Sequence, residues 1–357
     1  MNGQGQAMRA GNNGGPRPKG RPVRYVLPLL LAGLAVHLLL PQLTSLEHSL
    51  QVLRNMAFWA VGLAVGMQIM SYVGSGVLMR SLIALVGEHL SIWRGTLITT
   101  ASYSIGLVAG GMVGSAASTY RWLRSSGVRS EGALLAGWLP GLFYTGSLVT
   151  VSVFGLLHLL VVHQLTTVQA VSFGTILLIL VSLVALSVWA LRHRARVTHL
   201  AERVGQRWAK VRRRSYDPAA TQAGLRRLFD AWELLSKGGW RGPALGAILN
   251  VTFDMLTLLF VFVAAGHPVS PGVLLAGYGL PLLLGKLPLI PGGVGVVESS
   301  MAALYDSLGV PDGVTVVVIL IYRLLSFWTP TLIGFPLIPL MQRISQVGRV
   351  GGEEDST

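Results

Sequence analysis

Arg323 stands inside an otherwise apolar run, Val314 to Leu340, and two acids, Asp254 and Glu298, lie in similarly apolar surroundings. An arginine at mid-span costs about +2.5 to +3.5 kcal/mol on insertion scales, so it must face a partner or a polar cavity. A guanidinium fork suits phosphate and carboxylate alike. Two roles therefore stand open for Arg323: capture of a lipid phosphate, or a structural ion pair with Glu298 or Asp254. Either acid could neutralise the arginine, hold a cationic headgroup or relay a proton. Arg121 and Arg124 sit at the mouth of an earlier apolar segment. Their position fits headgroup anchoring, and Arg121 joins Arg323, Glu298 and Asp254 as a candidate for a substrate path.

Other chemistry finds little support. The chain has no cysteine, which excludes disulfides, thiol catalysis and cysteine-ligated zinc. Its histidines are scattered without a ligand spacing such as HExxH, so neither a metal nor a cofactor is expected. No paired carboxylates and no nucleophile–base set stand out, so no catalytic residue is assigned and the chain is expected not to be an enzyme. Pro288, Pro291, Gly292, Gly293 and Gly295 form a hinge signature, with Gly110 and Gly111 as an earlier counterpart. Prolines there prevent a continuous helix, while glycines permit a turn and a close approach of backbone to ligand. The second glycine run is not a dinucleotide fingerprint, because no strand precedes it and the third glycine is missing.

The elements that must position these residues follow from composition. Hydrophobic residues make up 52% of the 357, and charged residues only 12%. A soluble domain carries about 25% charged residues, so the solvent here is a bilayer. The formal charge of +14 lies beside apolar spans, which indicates orientation and attraction to anionic headgroups rather than nucleic acid. Residues 1–24 read as a disordered basic tail and 346–357 as a disordered end. Tyr25 to Leu40 is expected to be a retained first span. Further full spans are expected over 56–79, 132–157, 171–191, 244–265 and 314–340, each near or above the length that crosses about 30 Å.

Two stretches, 95–118 and 273–300, are apolar but dense in glycine, serine and proline. Basic residues before Tyr25, at Arg80 and Arg94, at Arg121, Arg124 and Arg129, and after Leu191 all ask for the cytoplasmic side. The 95–118 stretch is too short for two crossings, so it is expected to enter and leave on that side. The same count brings 273–300 in from the outer face and puts both termini in the cytoplasm. The stretches also align without gaps: Leu107 with Leu289, Gly110–Gly111 with Gly292–Gly293, Ser118 with Ser300, Ser125 with Ser307, Gly127–Val128 with Gly309–Val310. The expected fold is an all-α polytopic membrane protein of about six full spans plus two re-entrant hairpins, arranged as an inverted repeat. The first half covers 56–191 and the second 244–341. Between them, 192–241 holds two amphipathic segments that either lie on the inner leaflet or pair as a linker hairpin.

The run from Lys286 through Pro288, Pro291, Gly292, Gly293 and Gly295 to Glu298 carries a further signal. With Gly309, Val310 and Pro311, and the intramembrane Arg323 before Ser326, Phe327 and Trp328, it resembles the lysylphosphatidylglycerol synthase transmembrane-region family, also called flippase-like proteins. The likeness covers about residues 25–345. It implies a multi-pass protein of a bacterial or archaeal cytoplasmic membrane that moves lipids or lipid-linked groups between leaflets. Anionic lipid headgroups are the implied partners, and a homo-oligomer or a partner synthase stays open. The family's soluble aminoacyl-transferase domain is not matched, so aminoacyl-lipid synthesis is not expected. The first hairpin in this family often carries a proline and a glutamate before its arginine; here only Arg121 is kept.

Overall fold

The computed structural model describes residues 51–339, apart from 109–110, 162–166, 212–217, 220–221, 223–225, 227–228, 231–232, 234 and 287–290. The expected first span and both terminal tails, with Gly110 and Pro288, fall outside the described residues.

The described residues are helical, without strands. In order they form α1 (Phe58–Ala84), α2 (Ile92–Val108), α3 (Met112–Ser125), α4 (Ser130–Val161), α5 (Thr167–Arg192), α6 (Arg194–Val211), α7 (Arg241–Ala264), α8 (Pro271–Leu284), α9 (Val296–Ser307) and α10 (Asp312–Arg323). The last continues through a π turn, Leu324–Trp328, to Pro339. Within a bilayer a helix satisfies its own backbone, and apolar side chains all round it cost nothing, so long apolar runs become helices. Among the described residues α1, α4, α7 and the full α10 are long and apolar enough to cross a membrane. Helix α5 covers the expected span 171–191.

Helices α1 and α7 form the central pair. They run antiparallel: Ala57 N–H donates to Ala264 O at 3.0 Å at one end, and Gly242 meets Ser81 at the other. Small residues let the backbones close in. A β-carbon on Gly74 would lie 2.5 Å from Asn250 N, and one on Gly246 would lie 2.4 Å from Leu78 N. At this crossing Asn250 Nδ2 bonds Ser71 O, Ser71 Oγ and Ser75 Oγ at 2.9–3.0 Å.

Both glycine-rich stretches are broken into shorter helices. Helices α2 and α8, of 17 and 14 residues, reach only about 25 and 21 Å, short of a crossing. After the break the chain returns. Ser102 on α2 shares a 2.7 Å hydrogen bond with Thr119 on α3, and Gly277 on α8 lies against the Tyr305 ring of α9. The loop that opens the first hairpin is tied to the loop that closes it, since Arg129 Nε donates to Glu88 Oε1 at 2.7 Å. Both ends of that hairpin therefore sit at the C-terminal end of α1. The second hairpin closes at the C-terminal end of α7, where the Phe262 and Tyr305 rings meet edge to face at 5.0 Å.

The two halves share more than element order. Helices α3 and α9 end on the aligned serines, Ser125 and Ser307, and each is followed by a glycine with positive φ, Gly127 at 88° and Gly309 at 83°. The valine after each glycine bonds back five residues, Val128 to Leu123 and Val310 to Tyr305. This is a helix stop that needs the left-handed residue. Helices α4 and α10 start at aligned positions and each crosses the opposite half's hairpin. Gly155 and Ser152 of α4 meet Ala276 and Gly279 of α8, while Gly334 meets Ser104 of α2.

Between the halves, α6 pairs with the segment after it. Arg194 stacks over Phe229 and approaches Glu233, and Gln222 bonds Glu202. Those contacts run antiparallel.

The Glu88–Arg129 tie makes a pH prediction. Hydrogen bonds from Arg129 hold the Glu88 carboxyl below its ordinary value. A depressed native value means that stability is present above the unfolded value and is lost as pH falls through the native one. Thermal melts of the detergent-solubilised chain should show a small loss on acidification below the ordinary glutamate range. Glu88→Gln should remove that part of the slope.

Candidate functional site

The hairpin tips meet beside α10. A β-carbon on Gly292 would strike the Phe327 ring at 2.6 Å and lie 3.3 Å from Leu107 Cδ1, so the second tip touches both α10 and the first tip. Only glycine fits: Gly292 has φ of 70°, and there is no room for a side chain. The turn Pro291–Gly293 folds back on Gly285, and α9 begins after Gly295, whose N–H is accepted by Glu298 Oε2 at 2.7 Å. Glu298 thus sits in the first turn of α9, where a carboxylate is favoured by the helix dipole. Its other oxygen accepts from Arg323 Nε at 2.5 Å.

Arg323 is buried. Its guanidinium lies 4.3 Å from the Phe327 ring centre and reaches Gly292 O at 3.4 Å. A π turn starts at the next residue. Within it Thr329 N–H bonds Leu324 O, so Leu325 O loses its usual donor, and Pro330, one residue on, has no N–H to give. Tyr72 of α1 supplies the missing donor, its hydroxyl bonding Leu325 O at 2.5 Å. The helix is thus distorted just ahead of Pro330, and the distortion is anchored to the central pair.

Asp254 occupies a separate polar nest. It sits mid-way along α7, buried, with Oδ2 accepting from Tyr278 at 2.8 Å and Tyr322 at 2.7 Å, and Oδ1 from Gln68 Nε2 at 3.0 Å. Three donors satisfy an acceptor-only carboxylate without a cation. Of the two acids open to Arg323, Glu298 takes the pair, and Asp254 has no ion pair among the described residues. The two acids are nonetheless coupled, since Tyr322 and Arg323 are consecutive. Tyr103 and Tyr144 extend the polar cluster from α2 and α4, within electrostatic range of the same carboxylate.

Arg121 does not join this group. It is exposed in an apolar groove of about 290 Å³ between α3 and α4, lined with Val113, Ala116, Leu134, Gly137 and Trp138. Gly111 forms the first tip with φ of 66°. Sequence reasoning missed the tyrosines and Gln68, which look like ordinary core residues in a linear reading. It also missed Lys286, a lone lysine between two apolar runs whose ammonium stands 4.3 Å from the Tyr144 ring centre. Its signal was its position at the head of the Pro-Gly run.

Similarity to known proteins agrees with this architecture. The profile described as the lysylphosphatidylglycerol synthase transmembrane region matches residues 25–334. A UPF0104 membrane protein of Methanocaldococcus jannaschii is 23% identical over 167 residues, 46% of this chain and 50% of that protein. A UPF0104 membrane protein of Methanothermobacter thermautotrophicus is 33% identical over 86 residues, 24% of this chain and 25% of the relative. One from Pyrococcus horikoshii is 33% identical over 85 residues, again 24% and 25%. The chain spans a quarter to a half of the length of the curated relatives it matches. These archaeal relatives fit a prokaryotic membrane, and the helices fit many passes through it. The chain belongs to the lysylphosphatidylglycerol synthase transmembrane-region family.

Proposed function

We propose that this protein moves lipids or lipid-linked groups with anionic headgroups between leaflets, as a carrier and not as an enzyme. On this reading the hairpins are re-entrant, dip from opposite faces as an inverted repeat, and meet over a headgroup path through the midplane, with both termini cytoplasmic. The observation that carries it is the junction itself. Two glycine tips attached to opposite ends of the α1–α7 pair meet against an α10 that bears a buried arginine and a π turn. Broken elements with free backbone at mid-depth are how carriers build midplane sites. Bistable tips packed on small residues supply the two arrangements that alternating access needs.

A second reading is a non-transporting partner of a lipid or envelope-glycan synthase, either as a single chain or as a homo-oligomer. The first hairpin favours it, since Arg121 has no acid beside it in sequence and faces an apolar groove.

A leaflet-resolved assay in reconstituted vesicles separates the two. Wild type should exchange labelled phosphatidylglycerol between leaflets faster than protein-free vesicles, and Arg323→Leu should slow it. Wild type and variant moving every tested lipid no faster than empty vesicles would remove the carrier reading and favour the partner.

A further inference from the structure

We infer that Lys286, standing over Tyr144 at the tip of the second hairpin, is the group that receives the phosphate oxygens of an anionic headgroup, while Arg323 serves to hold the tip. The inference rests on the carrier reading and names the chemistry of its site. Arg323 is a poor receiver as it stands. Its Nε is taken by Glu298, its face by Phe327 and one of its two outer nitrogens by Gly292 O, and only 6% of its side chain is exposed. A phosphate would have to displace a carboxylate already seated at 2.5 Å.

Lys286 is in the opposite condition. It has no acidic partner among the described residues, and its one recorded contact is the face of Tyr144. An ammonium over an aromatic face gains less than the hydration it gives up. The residue is exposed, just before the Pro-Gly turn of the second hairpin. Tyr144 itself is half-buried. Lys286 thus offers one cation without an acidic partner among the described residues, set over the ring of a tyrosine, and a phosphate oxyanion is the group that such a cation fits. The nearest carboxylates are already occupied, Asp254 by three donors and Glu298 by Arg323 and Gly295. Neither is left to neutralise the lysine.

The test uses the full chain in a neutral detergent, with thermal melting followed against dihexanoyl phosphatidylglycerol, dihexanoyl phosphatidylcholine and inorganic phosphate. Wild type should be protected by phosphatidylglycerol more than by phosphatidylcholine, whose headgroup cancels its phosphate charge. Lys286→Met should weaken that protection about 10-fold or more, as expected for loss of one charge-assisted contact. Lys286→Arg should recover most of it, and Lys237→Met, on the linker, should behave as wild type. Protection by inorganic phosphate at similar concentration assigns the site to the free anion, and protection by the lipid alone assigns it to a headgroup. Lys286→Met protected as well as wild type, equal protection by phosphatidylcholine, or no protection of wild type by any probe would overturn the inference. Binding through Lys286 without exchange in vesicles would spare the site and remove the carrier reading. Exchange that survives Lys286→Met would do the reverse.

Discussion

Arg323→Leu should cost about 3–5 kcal/mol, because it leaves the Glu298 carboxylate unpaired where only 16% of its side chain is exposed. In detergent this would show as a clear fall in melting temperature of the full chain. Combining it with Glu298→Gln should recover most of the loss. The charge is then gone, while the amide oxygen still accepts from Gly295 N–H at the start of α9. Removing both halves of a buried ion pair is often near neutral, whereas removing one is not. The double variant therefore separates stability from movement. A folded double variant that still fails to exchange lipid makes the pair part of the moving machinery. Full recovery of exchange would reduce Arg323 to a structural latch that other contacts can replace.

The second large effect lies away from any charge. Gly246→Val should lower stability by about 3 kcal/mol or prevent folding, since overpacked sites cost that order when nothing can yield. Its β-carbon would lie 2.4 Å from Leu78 N and 2.5 Å from Leu78 Cα, backbone atoms of a helix that cannot swing aside. The central helices would have to part, and the Asn250 clasp one turn away would open with them. Gly62→Ala on the same α1 is the control. Nothing lies within 4 Å of its β-carbon, so alanine should be neutral or stabilise slightly through helix propensity. Equal melting temperatures for the two variants would mean that the crossing is looser than these distances require.

The sequence made the outline legible because a bilayer punishes errors harshly. Apolar runs long enough to cross become helices, and the runs rich in glycine and proline, 95–118 and 273–300, are where the chain breaks. The aligned Ser125 and Ser307 mark real helix ends for a local reason: a left-handed glycine follows each. That Arg323 needs a partner was legible because a buried charge is costly, but the sequence left Glu298 and Asp254 both open, and only the folded chain selects Glu298. Asp254 was the weaker inference. Its partners are Tyr278, Tyr322 and Gln68, from three different helices, and no linear spacing brings them together. Lys286 escaped notice for the converse reason, since its significance lies in the lack of a nearby acid, visible only once neighbours are known. Arg121 has no counterpart in the register of the second half, where it falls on Ala303, and its hairpin carries Ala116 where the second carries Glu298.

The pairing of α1 with α7 bears on how the chain is made. About 160 residues separate the end of one from the start of the other, so at 5–20 residues per second the ribosome takes roughly 8–30 s to deliver the partner. Through that interval the glycine face of α1 is bare inside the membrane. The first hairpin, whose own helices are too short to cross, has no finished wall to lean on. The nascent first half must therefore wait in a shielded place, at the translocon or under an insertase, until the complementary helix arrives. Supplying the two halves as separate chains in one cell should rescue each other's survival, whereas either alone would be cleared by proteolysis.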